Sequence, residues 1–161
     1  MSLNSREFRD ALGHFATGVA VISAFKPDGE MLGLTVNSFA SVSLDPPLIL
    51  WSLDKGSDRF APLMQVEHFA VNILGLGEQE ISRRLSRKGQ SALQPDEFSK
   101  GTHGAPLLND AAAIFECVVH ERIEAGDHVI FIGRVLGCSH NSHETPLLYY
   151  RGAYRALGPK S

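Results

Sequence analysis

The chain has 161 residues, a formal net charge of -3, 43% hydrophobic residues and 20% charged ones. That length predicts a single domain over residues 1–161, able to bury roughly two-thirds of its unfolded surface without a metal or disulfide staple. The mild acidity gives no electrostatic drive toward nucleic acid or an anionic membrane, no apolar run of about 18 residues is present to span a bilayer, and the polar start Met1–Asp10 lacks the apolar stretch of a secretory signal. A cytoplasmic location is therefore expected, with Cys117 and Cys138, both in apolar strand-like runs, as buried thiols.

Ser5–Phe15 reads as a short helix with Phe8, Leu12 and Phe15 on one face and Ser5 as its cap, stopped at Thr17-Gly18. Val19–Phe25 is rich in β-branched residues, Lys26-Pro27-Asp28-Gly29 is a turn, and Met31–Val36 returns as the second arm of a hairpin. Asn37–Leu44 alternates loosely, Asp45-Pro46-Pro47 breaks it, and Leu48–Leu53 is a further strand. Asp58–Gln65 and Glu78–Ser86 are predicted helices, the first with Pro62 near its middle, and His68–Leu74 between them is a strand. Lys88–Pro106 is a long loop of the kind that often carries function. Ala112–Ile123 and Val129–Cys138 are strands joined across Glu124–His128, and Leu147–Tyr150 and Ala153–Leu157 close the chain. Many short strands with tight turns predict a mostly β, antiparallel, Greek-key-like barrel with a few helices.

Four stretches could carry chemistry. Gly33–Ser43 places five hydrogen-bonding side chains among apolar ones at a strand end. That mixture suits a flat heteroaromatic ring, or a serine-rich turn satisfying its own backbone. Asp54-Lys55-Gly56-Ser57 precedes a helix, where free N–H groups and the lysine could hold a phosphate, or Ser57 could simply cap the helix. Arg83, Arg84, Arg87 and Lys88 are either a second anion site or a solvated helix face. His128 sits in a turn, as a ligand contact or merely exposed, and His140 and His143 lack the further ligands a metal site needs. No nucleophile elbow, paired catalytic carboxylates or Cys-x-x-Cys is present, which weighs against hydrolase, glycosidase and thiol-redox chemistry.

Taken in order, FATGVAVIS (Phe15–Ser23), GLTVNSFASVSLDPPLILWSL (Gly33–Leu53), KGS (Lys55–Ser57), FAVNIL (Phe69–Leu74), GDHVIFIGRV (Gly126–Val135) and LLYYRGAY (Leu147–Tyr154) resemble the short-chain flavin reductases, the reductase components of two-component flavin-dependent monooxygenases. The resemblance covers nearly the whole chain. It implies an FMN-binding split barrel, a homodimer with flavin near the subunit interface, and NAD(P)H-dependent reduction of FMN or FAD, the reduced flavin passing to a separate monooxygenase. It implies that Thr35, Val36, Asn37 and Ser38 line the isoalloxazine, joined by Ser41, and that Ser52, Leu53, Asp54, Lys55 and Ser57 hold the ribityl chain and phosphate. The arginine that follows FAVNIL in the family corresponds to Arg84, although Arg84-Leu85-Ser86 departs from the family's arginine, phenylalanine and alanine. His128, Tyr149, Tyr150, Arg151 and Gly152 would meet the nicotinamide of NADH or NADPH. A non-catalytic flavin carrier or sensor on the same barrel, and an oxidase of the pyridoxamine-phosphate type, are the competing expectations.

Overall fold

The computed structural model describes residues 3–161. Helix α1 (Ser5–Leu12) is capped by Asn4 rather than Ser5, the Asn4 side-chain oxygen accepting from the N–H groups of Arg6 at 2.9 Å and Glu7 at 3.5 Å. Its apolar face does not enter the core: Phe8, Leu12 and the following Phe15 are 50%, 57% and 79% exposed. The spacing set the face correctly, but nothing among the described residues covers it.

A two-residue stub, β1 (Thr17–Gly18), precedes the hairpin of β2 (Ala20–Phe25) and β3 (Met31–Val36). Next come β4 (Ala40–Leu44) and β5 (Pro47–Asp54), then α2 (Phe60–Leu63), only four residues long where a helix over Asp58–Gln65 is expected. Strand β6 (His68–Ile73) leads through a 3-10 turn, Leu76–Glu78, into α3 (Gln79–Ser86). The hairpin of β7 (Phe98–Lys100) and β8 (Pro106–Leu108) lies within and just beyond the expected long loop. Strands β9 (Ala113–Ala125) and β10 (His128–His140) form the longest hairpin, and β11 (Leu148–Tyr150) and β12 (Ala153–Arg155) end the chain.

Seven strands form one antiparallel sheet in the order β3-β2-β6-β9-β10-β5-β4. Strand β6 returns beside β2 rather than beside β5, and β5 pairs with the distant β10 as well as with its neighbour β4, the Greek-key-like pattern expected. The two edge strands, β3 and β4, are consecutive in sequence, so the short link Asn37–Phe39 joins the sheet's edges and curls it into a barrel. Two contacts report that curl. Phe39 stacks on Phe115 of β9 at 5.6 Å, and Ser52 N–H of β5 donates to Ser38 Oγ at 2.9 Å.

Trp51, Phe69 and Phe131 fill the barrel, with Trp51 and Phe131 stacked at 4.5 Å. A second core lies outside it, where Ile81 and Leu85 of α3 pack with Val21, Leu74, Phe98, Leu108 and Leu147. Strand β2 therefore buries both faces, Ile22 inward and Val21 outward, which explains its unbroken apolar run. Between the layers, Asn72 donates to Val21 O and Ser23 Oγ and accepts from Leu108 N–H, while Ser23 Oγ donates to Pro106 O. This buried network and the bond from Gly33 N–H to Ser91 O at 2.8 Å pin the segment 88–108 onto the sheet, so much of the expected loop is a structural cover. Cys117 is buried, its thiol pushed up to about 12 by burial and then by the nearby Glu116 carboxylate, but Cys138 is exposed on β10 rather than buried.

Candidate functional site

Where β3 runs out of the barrel, Thr35, Val36 and Asn37 line a cleft of about 200 Å³ with Val19, Ser82, Ser86, Tyr149 and Tyr154. Its walls come from four elements held by side-chain bonds. Thr35 Oγ1 donates to Ser82 O of α3 at 2.7 Å, and Ser82 Oγ shares a hydrogen bond with the Tyr154 hydroxyl, also at 2.7 Å. The Arg83 guanidinium lies 5.1 Å from the centroid of the Tyr154 ring, whose edge meets Tyr149 at 5.7 Å. Because Thr35 spends its proton on a backbone carbonyl, its oxygen faces any ligand as an acceptor. Asn37 adds an amide that can both donate and accept.

A second, larger cleft of about 690 Å³ adjoins the first, with Asn37 and Tyr149 on both walls. Arg9, Asp10, Leu12, Gly13, His14, Phe15 and Thr17 line it from the α1 side, Arg151 and Gly152 from the β11–β12 turn. That turn is tight, with positive φ at Arg151 (48°) and Gly152 (78°), and Arg151 N–H donates to Gly13 O at 3.1 Å, tying the turn to the helix end. Tyr150, at the end of β11 just before the turn, lines neither cleft and meets the His14 ring edge-on at 6.4 Å. Of the residues implied for the nicotinamide, Tyr149, Arg151 and Gly152 are thus brought together.

His128 lies elsewhere, opposite Asp54 in the β5–β10 register and hydrogen-bonded through Nδ1 to Asp127 at 2.7 Å; it lines neither cleft. That bond, and then the charge of a protonated ring, holds the Asp127 carboxyl below its ordinary value. The turn Asp54–Ser57 meets the same corner. Asp54 Oδ1 accepts from Gly56 N–H at 2.7 Å, and Ser57 Oγ accepts from Arg59 N–H, closing a turn ahead of α2 rather than capping the helix itself. Lys55 Nζ is already engaged, donating to Gly126 O at 3.0 Å and paired with the Glu124 carboxylate. The pair is open to water, with Glu124 71% exposed, so an incoming phosphate can displace it at little cost.

The other implied positions are placed as follows. Ser38 and Ser52 bind each other, and Ser41 is exposed on β4 beside a register shift. Leu53 buries its whole side chain in the barrel, leaving only backbone to face a ligand. Arg84 is paired with Glu97 and lines neither cleft. Asp58 accepts from Gly89 N–H, which holds its carboxyl below its ordinary value, and the buried Arg59 guanidinium donates to the carbonyls of Arg87 and Gln90. Those bonds make the segment after α3 part of the wall-bearing scaffold. Ser82, Ser86, Tyr154, Arg9 and His14 escaped the sequence reading. Only Ser82 carried a signal, a polar residue beside Ile81 on the inward side of an amphipathic helix.

Residues 12–158 match the family described as flavin reductase like domain. The FMN reductase (NADH) SmoA of Agrobacterium fabrum is 43% identical over 151 residues, 94% of this chain and 85% of that protein. The reductase component of the flavin-dependent trigonelline monooxygenase of Acinetobacter baylyi is 41% identical over 92% of this chain, which spans only 48% of that longer relative. Among solved structures, the NADH:FAD oxidoreductase SgcE6 of Streptomyces globisporus, in complex with NAD and FAD fragments, superposes with a TM-score of 0.90 at 31% identity, covering 100% of this chain and 99% of that one. The fold is the flavin reductases' split barrel, and with a family match running almost end to end, the chain belongs to the flavin reductase-like domain family.

Proposed function

We propose that the chain, as a single domain over residues 1–161, is an NADH-dependent flavin reductase that reduces FMN or FAD and releases it to a separate monooxygenase. The observation that carries this reading is the pair of clefts meeting at Asn37 and Tyr149, one wall lying on the β3 motif and the other on the YRG turn. The smaller cleft suits a flavin edge: Val36 and the tyrosine rings offer flat apolar surface, while Thr35, Asn37, Ser82 and Ser86 supply a few polar groups. Flavin, once bound, supplies an acceptor for hydride from the dihydronicotinamide. The protein's part is to bind and orient. Tyr149, common to both clefts, holds the two ligands adjacent, and no side-chain acid or base is needed for hydride transfer. Lys55 with the Asp54–Ser57 turn is assigned to the flavin phosphate, and His128 to a nicotinamide contact made when two copies associate.

The homodimer belongs to the same proposal, supported by the largely exposed sheet edge at β4, where Val42 and Leu44 are 45% and 96% exposed. A cytoplasmic location is also proposed, consistent with two free thiols. Among the described residues, no helix is long and apolar enough to cross a membrane.

The test is NADH consumption by the purified protein with and without FMN, FAD and riboflavin, repeated with NADPH. Turnover that requires added flavin is the expected result. Flavin binding with no turnover from either nicotinamide would establish a carrier or sensor instead.

A further inference from the structure

We infer that the larger cleft, between the end of α1 and the β11–β12 turn, holds the phosphate-bearing half of the nicotinamide donor, with Arg9 and Arg151 as its phosphate contacts. The inference rests on the reductase reading and assigns an adenylate subsite that the sequence motifs leave open. At about 690 Å³ the cleft is far larger than its neighbour and falls within the ordinary range for ligands of this size. Two arginines line it, and neither makes an ion pair among the described residues, whereas Arg59 and Arg84 do. Arginines free of ion pairs on the two sides of one cleft are suited to bidentate recognition of phosphate.

Arg151 is the notable one. Its φ of 48° is the left-handed conformation, at a turn position where asparagine or glycine would fold more easily. An arginine held there at a cost in backbone energy is explained by what its side chain reaches. The carbonyls of Arg9, Ala11, Leu12 and Gly13 at the end of α1, which would otherwise repel an anion, accept hydrogen bonds. Gly13 N–H donates to Arg9 O, His14 N–H to Ala11 O, Phe15 N–H to Leu12 O, and Arg151 N–H to Gly13 O. Asp10 is the cleft's one carboxylate and is an acceptor for sugar hydroxyls. Leu12 and Phe15, 57% and 79% exposed on the same wall, give an adenine ring apolar surface to lie on.

FAD carries the same adenylate, so the two sources must be separated. The variants are Arg9→Gln, on an exposed helix position, and Arg151→Asn, which the left-handed turn accepts. Each is assayed with NADH and with reduced nicotinamide riboside, which has no phosphate, using FMN and then FAD as acceptor. Each variant is expected to raise the KM for NADH about tenfold and to leave kcat, the KM for the riboside and the KM for both flavins within about twofold. Calorimetric binding of ADP-ribose should weaken by about the same factor, a readout independent of turnover. An unchanged KM for NADH, an equal rise for the riboside, or a rise confined to FAD would each overturn the assignment. Wild-type protein inactive with every flavin would instead fail the reductase reading itself.

Discussion

In the proposed reading Lys55 holds the flavin phosphate, and its surroundings are acidic. Its ammonium is paired with Glu124 and bonded to Gly126 O, with Asp54 and Asp127 in the adjoining turns. A phosphate arriving here exchanges one exposed carboxylate for a more highly charged partner, a trade that favours reversible binding over tight retention. That suits a flavin that must leave again. Lys55→Ala is expected to raise the dissociation constant for FMN about five- to tenfold, leave riboflavin binding unchanged, and slow turnover at saturating FMN by less than twofold. Glu124→Gln, which removes the competitor, should tighten FMN about twofold. Fluorescence quenching titrations with both flavins measure these, and equal losses for FMN and riboflavin would remove the phosphate role from Lys55.

At the level of elements, the 3-10 turn that launches α3 carries a carboxyl out of its usual range. Glu78 accepts from Gly75 N–H at 2.6 Å, while its other oxygen is buried without a partner. Burial above all, then the Asp110 and Glu144 carboxylates, push it up to about 7 against the Gly75 bond that pulls it down. The folded chain thus keeps this proton where the unfolded chain, with an ordinary value of 4.5, has released it. The stabilisation is complete below about 4.5 and is lost as the pH rises through about 7. Glu78→Gln keeps an acceptor for Gly75 and cannot ionise. With allowance for its partial exposure, it should stabilise the protein by about 1 kcal/mol at pH 8, or about 2–4 °C in Tm, and hardly at all at pH 5. Thermal melts of both proteins at the two pH values decide this, and an equal shift at both would mean the carboxyl ionises in the fold as it does in the unfolded chain. The same turn shows what a linear reading misses. Helix α3 was legible from its apolar spacing, β2 and β6 from their apolar runs, and the hairpin turns from glycine and proline. The cover formed by 88–108 was not, because Asn72 and Ser23, which fix it, are ordinary strand residues until their partners at Leu108 and Pro106 are known.

At the scale of the whole molecule, the β2–β3 and β9–β10 hairpins could be read ahead of the structure because each joins strands close in sequence. The second cleft could not, since it forms only when the β11–β12 turn returns to the end of α1, some 140 residues away in the chain. The same reasoning governs association. Strand β4 is an exposed sheet edge, carrying unpaired backbone groups together with Leu44 at 96% and Val42 at 45% exposure, and β10 adds Leu136 at 41%. An edge this apolar is a liability in a free monomer and an asset at an interface between identical copies. Sedimentation equilibrium is expected to give twice the chain mass at micromolar concentration. Leu44→Asp should shift the equilibrium to monomer while leaving the far-ultraviolet circular dichroism unchanged, because that side chain packs on nothing in its own chain. If His128 meets the nicotinamide only across the pair of copies, the monomeric variant should also lose NADH affinity while still binding flavin at Thr35–Asn37. A monomer with full NADH affinity would place His128 outside the site altogether.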